Sequence, residues 1–406
     1  MGPASFTPRG GSGRAKLRGS VPTRLGPRPG GHSPHRRPTR ILCARAPVAE
    51  PIRNDLHKAM EHARSIHRAN VEGIRSAILT GELDPASAAR WITADVETCI
   101  TTMLDAVRDH LGPEERFDGG GAVLGMGKLG GRELTLGADI DLMFVCEAEA
   151  EAEQLGAVER FHRVAQILVS ALAWNPDAGR LYDVDMRLRP YGADGPLAVL
   201  YSSFTRYYRH DRWTWELQAL TRARVIGDDS AFGRRLATAA TEAIAHAPPP
   251  AIVFAEVARM RRTLAREQPA RGSWDIKRVR GGLTDLEFVV QALQLAHASS
   301  RPEVIQPNTG DALMALEAAG LIDAGEAACL LGAWRLYSTL RQLQAALDLK
   351  DQDLELAGPE HKAVVLNCLG AKDWPALRGR FEKAQADVRR LFRLMISSTP
   401  ARVTAA

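Results

Sequence analysis

No stretch of 18 apolar residues occurs in the 406-residue chain, so no transmembrane helix is expected. The five cysteines (Cys43, Cys99, Cys146, Cys329 and Cys368) lie at least 39 positions apart, so a CxxC redox or zinc pair is excluded. An odd, scattered set suits buried free thiols in a reducing compartment, and the expected location is cytoplasmic. The eleven histidines form no HExxH or paired ligand spacing, and none is assigned to a metal. Acidic residues are absent from residues 1–49, which hold nine Arg and one Lys. The rest of the chain, with 43 basic and 48 acidic side chains, is net −5, so a formal charge of +5 conceals an acidic body with a basic tail.

That tail is rich in Gly, Pro, Ser and Arg and shows no apolar period, so residues 1–49 are expected to be disordered. It lacks the apolar core of a secretory signal. A nucleic-acid arm, an organelle transit peptide and a membrane-surface tether compete with a plain extension, and the plain extension is favoured. Neither nucleic acid nor a membrane is therefore expected as a partner.

From residue 50 the pattern becomes helical. Leu56, Met60, Ala63 and Ile66 recur at helical spacing, and residues 88–110 read as a second helix, which gives N-terminal helices over 50–112. Gly112-Pro113 and three consecutive glycines from Gly119 break the pattern. A small α/β unit over 113–245 follows, with strand-like runs at 122–126 and 140–146, an amphipathic helix over 153–173 and alternation over 181–189. After Pro248-Pro249-Pro250 the remaining pattern is helical, a bundle over 246–400 with no internal repeat. The fold class is α+β, a small mixed sheet flanked by helices and followed by an α-helical bundle.

The informative segment is GMGKLGGRELTLGADIDLMFV, residues 125–145. Gly125-x-Gly127-x-x-Gly130 imitates a dinucleotide fingerprint, but too few residues precede the next strand for a crossover helix. A phosphate-binding P-loop fails as well, because Ala122 and Leu129 stand where it needs glycine and a hydroxyl. Asp139 and Asp141, two apart on a predicted strand, point to one face. Carboxylates forced together call for a hard divalent cation. Gly130 and Gly131 can expose backbone N–H groups to a phosphate without a Cβ in the way. On residues 181–189, Asp183, Asp185, Arg187 and Arg189 share a face, which suits metal at one end and phosphate at the other, or else a solvated edge.

Gly-Gly, Asp-x-Asp and a third Asp on a later strand resemble the signature of the nucleotidyltransferase superfamily with the polymerase-β-like fold. The longer runs are more specific. Residues 125–145, YDVDMRLRPYGADGP (182–196), DRWTWELQALTRARVIGD (211–228) and WDIKRVRGGLTDLEFVVQ (274–291) resemble the glutamine synthetase adenylyltransferase family. The resemblance runs from about residue 55 to 395 and covers one of the two catalytic halves of that bifunctional family. It implies a nucleotidyltransferase domain over 113–245. It also implies two magnesium ions (Mg2+) on Asp139, Asp141 and Asp185, and ATP as substrate with its phosphates near Gly130, Gly131, Lys128, Arg187 and Arg189. Asp183 would be an orienting neighbour.

The implied reaction is transfer of AMP to a tyrosine hydroxyl of glutamine synthetase with release of pyrophosphate, and a PII-type signal protein is a further implied partner. Trp213-Thr214-Trp215-Glu216 and Gly281 to Glu287 are more similar to the AMP-attaching half. The alternatives are another nucleotidyltransferase of the superfamily and a non-catalytic fragment that binds glutamine synthetase. For single residues, core packing is favoured over adenine stacking for Trp213 and Trp215. Arg222 and Arg224 clamp phosphate or bridge carboxylates. Gly281-Gly282 is an anion site or a helix-entry turn, and Asp285 and Glu287 belong to the site or favour the first helical turn.

Overall fold

The computed structural model describes residues 56–111, 120–148, 154–173, 182–350 and 352–397. The basic tail lies outside them, as do Leu181, Gly112-Pro113 and Gly119. Helices α1 (Leu56–Leu79) and α2 (Pro85–His110) pack side by side. Asp84 starts α2 by accepting the Ser87 N–H, with Pro85 at the first helical position, where its missing N–H costs nothing. Ile92, Val96, Ile100, Met103 and Val107 follow at helical spacing, and all are buried.

The sheet is small and mixed. Strands β1 (Gly120–Met126) and β2 (Ile140–Glu147) are antiparallel, and that pairing alone rules out a dinucleotide-binding crossover. β3 (Val184–Asp185) and β4 (Ala198–Leu200) run parallel to β2, one at its start and one at its end, while β5 (Arg224–Val225) pairs with the outer edge of β1. Past Asp141, β2 is buried on both faces, from Leu142 to Cys146, because α4 (Gln154–Ala173) and α5 (Tyr201–His210) also pack on it.

The predicted strand over 181–189 shrinks to Val184–Asp185. Residues 187–190 form turns and bends, so the alternation there was of sequence and not of conformation. Helices α6 (Thr214–Leu220), α7 (Ala231–Ala245), α8 (Pro250–Glu267) and α9 (Leu283–His297) follow, then α10 (Thr309–Ala318), α11 (Ala324–Ala346), α12 (Pro359–Leu369) and α13 (Trp374–Phe392). Trp274 stacks on Phe381 of α13 with ring centroids 4.7 Å apart, and α11 packs on both α1 and α2. Sheet, hairpin and bundle thus share one hydrophobic core.

Residues 131–139, between β1 and β2, are held largely from the helices. Asn308 donates to the Gly131 carbonyl, Gln342 bonds Leu134 and Leu136, and Lys350 donates to the Gly137 carbonyl. No described helix is long and apolar enough to cross a membrane.

Candidate active site

Three aspartates meet at the end of the sheet where β2 begins. Asp141 is the second residue of β2 and stands in register with Asp185 of β3. Neighbouring parallel strands lie about 4.8 Å apart, so these carboxylates share one face. Asp139 precedes β2 instead of lying in it, and it is exposed beside them.

Burial, and after it the charges of Asp185 and Asp139, push the Asp141 carboxyl up to about 6, against the opposing pull of Lys277 and Arg222. Asp185 moves the other way. Arg187 clasps it through backbone N–H, Nε and Nη2 at 2.5–3.0 Å and holds it below the usual carboxylate range. Negative charge that raises a neighbour's pKa, oxygen-only donors and a guanidinium already drawn onto Asp185 together fit a hard divalent cation.

The glycine reading needs correction. The chain turns directly from β1 into a single helical turn, α3 (Gly127–Gly130). Gly131 gives its N–H to the Gly127 carbonyl, so that group is not free for a phosphate. Gly130 and Gly131 are buried for packing: a Cβ on Gly130 would strike the Arg222 and Gly125 carbonyls, and one on Gly131 would crowd Arg222 and the Pro307 carbonyl.

The glycine that touches the site is Gly127. Its φ is +54°, and a Cβ there would run into the Asp141 carboxylate. Gly127→Ala is expected to lower the transfer rate about 100-fold by displacing Asp141, with only about 1–2 kcal/mol lost in stability. Steady-state rates beside urea unfolding check this, and a variant of near wild-type rate would overturn it.

Arg189 is a loop clamp and not a phosphate ligand. It donates to the carbonyls of Met186, Ala193, Gly195 and Pro196 and shapes the turn after β3. Arg187 is exposed and paired with Asp185. Core packing of the tryptophans is overturned, since Trp213 is 61% and Trp215 37% exposed. Arg222 and Arg224 prove to be bridges. Arg222 spans Glu133 at 3.1 Å and Glu287 at 2.6 Å, and Arg224 pairs with Glu97 and caps the Gly130 carbonyl. Asp285 is fully buried on Arg261 and the Gly281 N–H, which makes Gly281-Gly282 a helix-entry turn.

A cleft is lined by Lys128, Arg132, Glu133, Glu287, Asn308 and Arg341, with none of the three aspartates in its lining. Among the described residues the Lys128 ammonium has no hydrogen-bond or ion-pair partner. Burial, then Arg341 and Lys277, lower it to about 7. Lys277 acts electrostatically on both Lys128 and Asp141. Gly127, Glu133, Lys277 and Arg341 were not singled out from the sequence. Only the first three lie in runs already marked as informative.

A mixed sheet presenting three aspartates next to a tight glycine turn, with helices closing one side, defines a nucleotidyltransferase. The family model for glutamate-ammonia ligase adenylyltransferase matches residues 34–239, and the chain belongs to that family. Residues 255–396 match the model for GlnD PII-uridylyltransferase.

Two bifunctional glutamine synthetase adenylyltransferase/adenylyl-removing enzymes are similar to most of the chain. The one from Bradyrhizobium diazoefficiens is 34% identical over 334 residues, 80% of this chain and 34% of the relative. The one from Caulobacter vibrioides is 36% identical over 352 residues, 84% of this chain and 35% of the relative. The chain therefore spans about a third of the length of the curated relatives it matches.

Proposed function

We propose that this chain transfers AMP from ATP to a tyrosine hydroxyl of glutamine synthetase. The tyrosine oxygen bonds to the α-phosphorus, the bond from that phosphorus to the bridging oxygen breaks, pyrophosphate leaves, and the hydroxyl proton passes to solvent. The observation that carries this reading is the register pair Asp141–Asp185 with Asp139 beside it, and the charge of Lys277 acting on both Asp141 and Lys128.

Asp139, Asp141 and Asp185 would hold two magnesium ions, which when bound screen phosphate charge and make the hydroxyl more acidic. The chain's own residues position the reactants. Lys128, Lys277 and Arg341 offer positive charge to the triphosphate, and a polyanion there would favour the charged form of Lys128. Gly127 leaves room for the Asp141 carboxylate against the turn. Arg187 must release Asp185 and is then placed to meet departing pyrophosphate. Exposed Trp213 and Trp215 offer faces for adenine or for the protein substrate. No protein nucleophile is required.

The AMP-attaching direction is favoured by Trp213-x-Trp215, and a PII-type regulator by the match over residues 255–396. A cytoplasmic location agrees with ATP as substrate and with the free thiols of Cys99, Cys146, Cys329 and Cys368. Incubation with glutamine synthetase, magnesium and ATP labelled at the α-phosphate should label the tyrosine, and Asp139→Asn should lose at least about 100-fold. Equal labelling by the variant would sink the assignment. Label release from adenylylated enzyme in the presence of phosphate, without forward transfer, would reverse the direction.

A further inference from the structure

The sequence pairs no histidine with a second ligand, yet the fold brings one to such a place. His67 of α1 faces Asp95 and Cys99 of α2, and their ligand atoms all lie within 4.8 Å of one another. Asp95 and Cys99 are four apart, on one helical face.

His67 Nδ1 makes a short contact with Asp95 Oδ2 and also lies 2.7 Å from the Tyr182 hydroxyl. The Tyr182 hydroxyl also shares side-chain hydrogen bonds with Asp95 and Cys99, so four polar groups converge on one point. The other oxygen of Asp95 is already held by Asn70 Nδ2 at 2.6 Å, an outer contact that turns Oδ2 toward the cluster. Cys99 and Asp95 are both buried, and burial pushes the Cys99 thiol up to about 12.

A doubly charged cation placed among these converging atoms would be bound by all of them. With one carboxylate, one thiolate and one neutral imidazole the site carries no net charge, which burial demands. We propose that His67 Nδ1, Asp95 Oδ2 and Cys99 Sγ bind one zinc ion, with the Tyr182 hydroxyl closing a four-coordinate shell. Binding displaces the Cys99 thiol proton to solvent. Small rotamer changes bring the ligands to bonds of about 2.0–2.3 Å. Such an ion ties α1 and α2 to Tyr182, three residues before Asp185, and so braces the strand that carries the third aspartate. It is a structural site, separate from the carboxylates of the catalytic end.

The test uses the full chain purified without chelators. Zinc content should approach one per chain. Cobalt(II) titration should give a thiolate-to-cobalt band in the near ultraviolet and tetrahedral visible bands, retained in Cys146→Ala and lost in Cys99→Ala. Zinc should raise the melting temperature of the wild type but not of Cys99→Ala. No thiolate band in the wild type, or a band that survives Cys99→Ala, would overturn the site. If Cys99→Ala does not fold, the same titration on folded His67→Gln decides, with an undiminished band counting against the proposal.

Discussion

Asp141→Asn is expected to abolish transfer and, in magnesium-free buffer, to make the protein more stable. The loss in rate should be about 1000-fold, since a cation ligand contributes several kcal/mol to the transition state. The stability gain comes from the same carboxylate. Its folded pKa, about 6, lies above the ordinary aspartate value of 3.8, so the unfolded chain gives up this proton first. Between those two values the folded state holds more protons, and stability falls as pH rises. Above about pH 6 the loss is complete and constant.

Asparagine has no charge to bury and none to repel Asp185 and Asp139, so the variant should exceed the wild type by about 3 kcal/mol at pH 7.5 and by little near pH 4. Urea unfolding of both proteins at the two pH values checks this. Magnesium should then stabilise the wild type and leave the variant unmoved. A difference between the proteins that does not change with pH would remove the electrostatic explanation.

Arg222→Ala should be strongly destabilising, because Arg222 joins two acids of the cleft wall. The guanidinium is buried between Glu133 and Glu287, and its charge is kept by those two acids against the cost of burial. Removing it leaves two glutamates facing each other without a counter-charge, a loss of about 3–5 kcal/mol. Glu133 also accepts the Thr309 N–H and the indole of Trp334, so the damage spreads to α10 and α11. Arg222→Lys should recover only part of the loss, because one ammonium cannot span both acids. Denaturant midpoints rank the three proteins. A loss under about 1 kcal/mol for Arg222→Ala would mean the bridge is not a stabilising contact.

The sheet's beginning and the helices were legible because their signals are local. Apolar spacing marks α2, α4, α9 and α11, and the run into Asp139 and Asp141 marks the start of β2. Local signals failed where tertiary contacts decide. Strict alternation over 181–189 reads as a strand, but Arg189 finds four carbonyls in its own turn and bends the chain away after Asp185. Trp213 and Trp215 look like core residues, yet the small α6 leaves them outside. Gly130-Gly131 reads as a phosphate cradle because glycine pairs often are. That both glycines are required by the passage of Arg222 and Pro307, and that Gly127 is the one against the carboxylate, depends on residues far along the chain. His67, Asp95 and Cys99 escape any search by spacing, since two helices and the lead-in to β3 must meet first.

The grip of Asn308, Gln342 and Lys350 on residues 131–139 bears on the protein's birth. Synthesis runs from the N-terminus, so a ribosome that has delivered all five strands and all three aspartates has yet to make the side chains that hold Asp139's loop. The emerging chain carries the aspartates before it carries the clamp. The hold on Asp139's loop therefore dates from the arrival of the region after α11, not from completion of the sheet.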